Sequence, residues 1–152
     1  MLVLLNINGL EKEVNVKPNE YLLDTLRRIG YKSVKKGCDG SACGACTVLV
    51  DDKPVLSCSI LTLRAVGHEI KTVEAIQEEA AKLSECFSKQ GADQCGYCNA
   101  ALALMMYALK KENPNPTDEE LKKYVAGNLC RCTGYQSQQK AMREFLNKGG
   151  EE

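Results

Sequence analysis

Three cysteines within nine positions distinguish the segment GCDGSACGAC at residues 37–46. Cys38, Cys43 and Cys46 follow the spacing C-x4-C-x2-C, and a fourth cysteine, Cys58, comes further along the chain. This is the spacing of plant-type 2Fe–2S sites. A 2Fe–2S core with four thiolates is net negative in both redox states, so burying it requires many N–H donors, and glycines let the backbone approach the sulfurs. The segment therefore predicts a 2Fe–2S site.

A second set of four cysteines lies in the C-terminal half, in the motifs QCGYC and NLCRCTGY. Two of these cysteines are separated by a single residue, which is awkward for ligands of one tetrahedral zinc ion but suits a two-iron core. Both motifs fall at expected junctions between loops and helices, where free N–H groups favour an anion. Arg131 could offset cluster charge, or could equally lie in solvent or at an interface. The second set comprises Cys95, Cys98, Cys130 and Cys132.

The remaining cysteine and the single histidine limit the other kinds of site. Cys86 lies outside both motifs, and a small buried apolar role is expected for it. A Rieske centre requires two histidines, whereas His68 is the only one in the chain. Zinc usually binds two paired knuckles, and a thioredoxin-type CxxC belongs beside a βαβ unit, so neither fits the first set well. A structural zinc module stays open as an alternative that visible absorption and metal analysis would separate.

Charge and composition narrow the function further. Of the 152 residues, 20 are Lys or Arg and 20 are Asp or Glu, so no net field attracts nucleic acid or an anionic membrane. The nine cysteines, behind an N-terminus that lacks the pattern of a signal peptide, favour the reducing cytoplasm and metal ligation. The chain has no GxGxxG, P-loop or acid–base constellation. These observations predict a cytoplasmic electron carrier without a substrate site of its own.

The elements expected around the first set are those of a small α+β sheet packed on one helix. Residues 2–7, the dipeptide Asn8-Gly9 and a second alternating run predict a hairpin with a type I′ turn. A helix with its leucines on one face follows Pro18. Two further strands around a turn at residues 51–53, and a last strand near EIKTV, complete the predicted sheet.

From Val73 onward the strand signals vanish, and helices are expected instead. Thr117 and Glu120 form a capping-box pattern, and Asn99 is a suitable N-cap for the helix that contains AALALMMYAL. Those ten residues are apolar on all sides, which predicts the buried centre of a helical bundle, and they are too few to span a bilayer. The expected helices are 80–90, 100–111, 118–126 and 136–147.

Five segments, taken in order, resemble the small iron–sulfur subunit of the molybdenum hydroxylases, the family of xanthine dehydrogenase, aldehyde oxidoreductase and carbon monoxide dehydrogenase. They are GCDGSACGACTV, SCSI, GADQCGYC, ENPNPTDEE and AGNLCRCTGYQ. The resemblance covers nearly the whole chain. It implies a β-grasp plant-type ferredoxin domain over residues 1–74 and an all-α four-helix-bundle domain over residues 75–152, each with one 2Fe–2S cluster.

The same resemblance implies a place in a hetero-oligomeric complex. Its partners would be a large subunit that binds a molybdenum–pterin cofactor and usually a subunit that binds FAD. By resemblance Gln94 and Cys132 contact the pterin, so that electrons pass from molybdenum through the helical-domain cluster and then the β-grasp cluster to a flavin or another acceptor. A stand-alone 2Fe–2S carrier is the alternative, but free ferredoxins are usually strongly acidic, and the balanced charge favours a docked subunit.

The chain departs from the family pattern at three places. Ser41 stands where many members have glycine, in a form that resembles the carbon monoxide dehydrogenase-like branch. After Cys98 the family mostly reads Thr-Pro-Gly, whereas this chain reads Asn99-Ala100-Ala101. Ser137 and Gln138 stand where an apolar residue is common. In this family the substrate contacts lie on another polypeptide, so the substrate is not read from this chain.

Overall fold

The structure, a computed structural model, describes residues 1–148 and shows within them a mixed five-stranded sheet and five α-helices. The strands are β1 (Leu2–Ile7), β2 (Leu10–Asn15), β3 (Thr47–Val50), β4 (Lys53–Leu56) and β5 (Glu69–Lys71). They lie side by side in the order β2-β1-β5-β3-β4, with β1 and β5 parallel and the other neighbours antiparallel. The α+β class predicted from the sequence is confirmed.

Two tight turns set the register of the hairpins. Asn8 and Gly9 have φ of 55° and 77°, the two positive values that a type I′ turn requires, so the predicted first hairpin is confirmed. Asp51 and Asp52 have φ of 49° and 63° and join β3 to β4 in the same way. The predicted helix after Pro18 is α1 (Leu22–Arg28). Its buried leucines join residues of β1 and β2 in one apolar cluster beneath the sheet.

The second half is helical, as predicted, with small differences in the bounds. The helices are α2 (Gln77–Lys89), α3 (Asn99–Glu112), α4 (Asp118–Tyr124) and α5 (Gln136–Lys148). The first of them begins three residues before the predicted start at residue 80, and the third ends at Tyr124 instead of residue 126. The C-terminal part of the expected domain, residues 149–152, lies outside the described residues.

The predicted burial of α3 is confirmed, whereas one predicted cap is wrong. Eight residues of α3 are buried. Thr117 and Glu120 make both hydrogen bonds of a capping box at the start of α4. Asn99, however, is the first residue of its helix, and the N-cap is Cys98. The Asn99 amide instead donates to Asp93 Oδ1 at 3.1 Å, because this carboxylate lies in the preceding loop and competes for the side chain.

The sheet and the helices share a packed boundary. Leu49 of β3 is fully buried and belongs to the apolar cluster of the helices. At the edge of this boundary Asp52 accepts from Lys111 Nζ of α3 at 3.1 Å and from Lys71 Nζ of β5 at 2.7 Å. The helices are therefore held against β3 and the turn that follows it by both apolar and charged contacts. Within residues 1–148 no helix combines the length and the apolar character needed to cross a membrane.

Candidate iron–sulfur centres

The first set, Cys38, Cys43, Cys46 and Cys58, is assembled from one loop and one short turn. The loop precedes β3, and a 3-10 turn after β4, Ser57–Ser59, brings in Cys58. The Ser57 hydroxyl fixes that turn by donating to the carbonyl of Cys46 at 2.7 Å. As a result the sulfurs of Cys46 and Cys58 stand 3.3 Å apart. The thiol of Cys43 lies close enough to that of Cys38 to help lower the pKa of Cys38.

Two glycines of this loop occupy positions where a larger residue would collide. A Cβ on Gly37 would lie 2.9 Å from Cys43 Sγ, so the backbone passes next to a thiol. Gly44 has φ of +72°, and its Cβ would lie 2.4 Å from the carbonyl oxygen of Gly127. The N–H of Ala42 donates to Cys38 Sγ at 3.3 Å. The close approach of backbone to sulfur that the glycines predict is therefore present.

The second set, Cys95, Cys98, Cys130 and Cys132, comes from two loops that meet at the start of α3. One loop leads into α3, and the other joins α4 to α5. The thiols again approach in pairs, Cys95 with Cys132 and Cys98 with Cys130. Each of three thiols receives a further donor from its surroundings. These contacts are Tyr97 N to Cys95 Sγ at 3.5 Å, Thr133 Oγ1 to Cys130 Sγ at 3.2 Å, and Gln138 Nε2 to Cys98 Sγ at 3.4 Å.

The surroundings of the thiols move their acidities in opposite directions. Burial raises the pKa of Cys46 to about 11 and that of Cys98 to about 11. Backbone N–H groups, that of Ala42 foremost, lower the pKa of Cys38 to about 7. For Cys130 burial acts to raise the pKa, but hydrogen bonds from Thr133 and its other neighbours leave it lowered. Because iron binds thiolates, loading must displace the protons that the buried thiols keep at neutral pH.

The two sets lie directly against each other. The N–H of Leu129 donates to the carbonyl of Cys43 at 2.9 Å, so a residue next to Cys130 is hydrogen-bonded to a first-set cysteine. Beside this bond the Asn128 amide donates to the carbonyl of Gly44 at 3.2 Å. The Tyr97 hydroxyl donates to the carbonyl of Lys36 at 2.7 Å. Three contacts therefore tie the loops of the second set to the loop of the first.

The other residues singled out in the sequence lie at the surface near the second set or away from both sets. Gln94, Cys95 and Cys132 are exposed. Gln94 does not cap α3, since Cys98 holds that position. Cys86 is fully buried in the apolar cluster of the helices, away from both sets, with Lys148 Nζ 3.8 Å from its sulfur. Arg131 is exposed.

Two contacts of the sites were not anticipated from the sequence. The packing of Gly44 against Gly127 joins positions far apart in the chain, and no local pattern marks it. The hydrogen bond from Gln138 could have been suspected from the sequence, because a polar residue stands at the start of an otherwise apolar helical face. Residues 1–148 contain no group of three or more His, Cys, Asp or Glu side chains placed to hold one metal ion. The paired thiols and their N–H donors instead fit the two irons of a 2Fe–2S core, which needs two thiolates on each iron.

Comparison with known proteins agrees with this chemistry. The family described as "2Fe-2S iron-sulfur cluster binding domain" matches residues 5–69, and the family described as "2Fe-2S binding domain" matches residues 72–143. The nicotinate dehydrogenase small FeS subunit of Eubacterium barkeri is 46% identical over 134 residues, which cover 86% of this chain and 85% of that protein. The xanthine dehydrogenase iron-sulfur-binding subunit of Escherichia coli O157:H7 is 43% identical over 136 residues, which cover 86% and 84%.

A solved structure extends the similarity to the fold. A chain of quinoline 2-oxidoreductase from Pseudomonas putida 86 superposes with a TM-score of 0.87 at 35% identity, covering 98% of this chain and 97% of that one. Both halves of the sequence, with both sets of cysteines, fall inside these matches. The chain therefore belongs to the family of small iron–sulfur subunits of the molybdenum hydroxylases, the xanthine dehydrogenase family, whose members transfer electrons within oxidoreductase complexes.

Proposed function

We propose that the chain carries single electrons within a molybdenum hydroxylase complex, through two 2Fe–2S clusters held by the first and second sets. The pairing of the thiols is the observation that supports this most directly, because each iron of such a core takes two thiolates. A bound cluster of this kind accepts and releases one electron at a time. The proposed pairs on each iron are Cys38 with Cys43, Cys46 with Cys58, Cys95 with Cys132, and Cys98 with Cys130.

The two sets belong to two proposed domains, a β-grasp ferredoxin-like domain over residues 1–74 and a helical domain over residues 75–152. Two separate apolar clusters support this division, one under the sheet and one among the helices. Leu49 and Val73 are exceptions, since both belong to residues 1–74 but pack with the helical cluster. The division is therefore one of two cores in contact and not of two units joined by a linker.

We propose that electrons enter at the second set and leave from the first. Cys95 and Cys132 are exposed, so a partner can approach this side of the second set. Gln94 is exposed beside them, and its amide offers both a donor and an acceptor, which a pterin edge can match. The hydrogen bond between Leu129 and Cys43 then provides a short connection to the first set.

The partners proposed for the chain follow from its family. A large subunit would hold the molybdenum–pterin cofactor, and an FAD-binding subunit or another acceptor would receive the electrons. Two one-electron centres in series divide a two-electron oxidation into single steps, which is why one small chain would carry two clusters. The substrate would be bound by the large subunit, and cytoplasmic location stays a prediction from the cysteine content.

Metal analysis of the anaerobically purified chain with its partners tests the cluster assignment. We expect about four irons per chain and, on reduction, two distinguishable electron paramagnetic resonance (EPR) signals, because the two sets differ in their hydrogen-bond donors. Zinc in place of iron, without visible absorption, would refute the proposal.

Replacing Gln94 tests the proposed pterin contact, and rapid reduction by substrate tests the proposed order of electron flow. In the assembled complex Gln94→Ala is expected to leave iron content normal while turnover, or retention of the molybdenum cofactor, falls. Gln77→Ala, at another exposed glutamine, is the control and should change neither. Full activity with full molybdenum occupancy in Gln94→Ala would reject the pterin contact. Rapid reduction by substrate of the first-set cluster alone would reject the proposed order.

A further inference from the structure

Gln138 is a polar residue in an apolar position. It lies in the first turn of α5 with 2% of its surface exposed. The rest of the buried face of this helix consists of Ala141, Met142, Phe145 and Leu146. Burying an amide without a partner is unfavourable, because the hydrogen bonds that it made to water are not replaced. A glutamine on this face therefore requires a specific partner.

That partner is the sulfur of Cys98, which accepts from Gln138 Nε2 at 3.4 Å. Cys98 is itself buried, at 8% exposure, and stands at the N-cap of α3. The amide oxygen of Asn99 lies 3.8 Å from the same sulfur, and the Asn99 nitrogen is engaged by Asp93. Because a thiolate can only accept hydrogen bonds, the Asn99 oxygen cannot serve it, whereas the Gln138 amide can.

We propose that Gln138 raises the reduction potential of the cluster held by the second set, an inference that rests on the ligand role proposed above for Cys98. A reduced 2Fe–2S cluster carries one more negative charge than the oxidised cluster. A hydrogen bond to a ligand sulfur therefore stabilises the reduced state more, and the effect is largest where burial excludes water. The amide makes the second set a better electron acceptor than its cysteines alone would be.

Redox titration of the full-length chain in its complex, followed by EPR, tests this inference. Gln138→Leu keeps the apolar face filled and removes the N–H donor. At a fixed potential we expect the ratio of reduced to oxidised second-set cluster to fall about tenfold, which corresponds to ~59 mV for a one-electron couple. The first-set cluster should keep its ratio and serves as the internal control.

Three further variants make the result decisive. The signal lost or altered in Cys130→Ser identifies the second-set cluster. Met142→Leu, on the same buried face, should leave both ratios unchanged. Gln138→Met, which is equally long and lacks a donor, should reproduce the effect of leucine. Pulsed EPR after exchange into deuterated water should show, in the parent chain, a coupling from an exchangeable amide proton that both variants lack.

The outcomes separate this inference from the function on which it rests. If the second-set ratio is unchanged in variants with normal iron, or if both clusters shift equally, the role proposed for Gln138 is wrong. Neither result would contradict the proposed function. Loss of the second-set cluster from both variants would also overturn the role proposed for Gln138, because the amide would then serve assembly and not potential. The absence of both iron–sulfur signals from the parent complex would refute the proposed function itself.

Discussion

The two cysteine sets differ in the side chains that reach their buried sulfurs. In the first set the backbone N–H of Ala42 reaches Cys38 Sγ at 3.3 Å, and the nearby hydroxyls of Ser59 and Ser41 stand 3.5 and 3.7 Å from Cys58 Sγ. In the second set the side chains of Thr133 and Gln138 approach the sulfurs at 3.2 and 3.4 Å. Both sets therefore have a backbone N–H and side-chain groups near their sulfurs, but among residues 1–148 only the second set has a buried side-chain amide, that of Gln138, donating to a buried sulfur.

This difference determines what a single substitution can do at each site. Backbone donors are fixed by the conformation of the loop, which depends on small residues such as Gly37 and Gly44. A substitution at one of these glycines mainly changes the shape of the loop and affects the reduction potential only indirectly. A side-chain donor can be removed while the backbone stays in place. We therefore expect the largest change of potential from a single residue at the second set, where the side-chain donor is buried.

The largest expected effect comes from removing a single thiol, which tests whether the sets are independent. Cys130→Ser should lower the iron content from about four to about two per chain, because only the second-set cluster loses a ligand. Cys46→Ser should give the same loss at the first set. Cys86→Ala is the control, since this thiol lies in the helical core, and it should retain all the iron at a stability cost of about 1 kcal/mol. Iron analysis and EPR measure the outcome. Loss of both clusters from either serine variant would contradict independent sets.

A smaller effect is expected from Gly44→Ala, which tests the contact between the sets. The left-handed φ of +72° costs alanine about 1–2 kcal/mol, and the clash with Gly127 adds to it. The variant should lose thermal stability and first-set iron while keeping most of the second-set signal. Gly67→Ala is the matched control, because Gly67 also has a positive φ, +82°, and a Cβ there meets nothing within 4 Å. Equal unfolding temperatures for the two alanine variants would show that the loops do not need this contact.

The smallest effect is expected from Ser41→Gly, which sharpens the comparison of donors. Ser41 has φ of 54°, so glycine relieves the strain of a left-handed residue while it removes a hydroxyl near Cys58. We expect a slight gain in stability, about 1 kcal/mol, and a shift in the first-set potential much smaller than that of Gln138→Leu at the second set. Thermal unfolding and redox titration check both parts. A first-set shift as large as the one at Gln138 would remove the distinction between the sites.

The sequence was most informative where the determinants are local. The first hairpin was predictable because Asn8-Gly9 specifies its turn, and α3 because its apolar residues cover every side. The two cysteine groups were predictable because their spacings are short. Boundaries were less certain, as α2 shows by beginning before its predicted start. Local patterns therefore defined the elements and grouped the thiols, while ligation itself stays a prediction.

What could not be predicted depends on contacts between distant residues. Asn99 has the chemistry of an N-cap, yet Asp93 engages its amide, and the helix begins one residue earlier. Gln138 was noted only as a polar residue in place of an apolar one, because its sulfur partner is 40 residues away in sequence. The choice between competing partners for one amide is made by tertiary packing, which no local pattern contains.

Gly127 and Asn128 pack against Gly44, and this long-range contact affects the order in which parts of the chain can fold during synthesis. The hydrogen bond between Asn128 and Gly44 spans 84 residues. At about 5–20 residues per second, the first-set loop leaves the ribosome several seconds before the residues that close over it. Cys46, only 3% exposed in the folded chain, packs in the apolar cluster beneath the sheet, whose residues are all made before Gly127 and Asn128. We therefore expect the contact that joins the two sets to form last, after the sheet half of the chain has been able to fold.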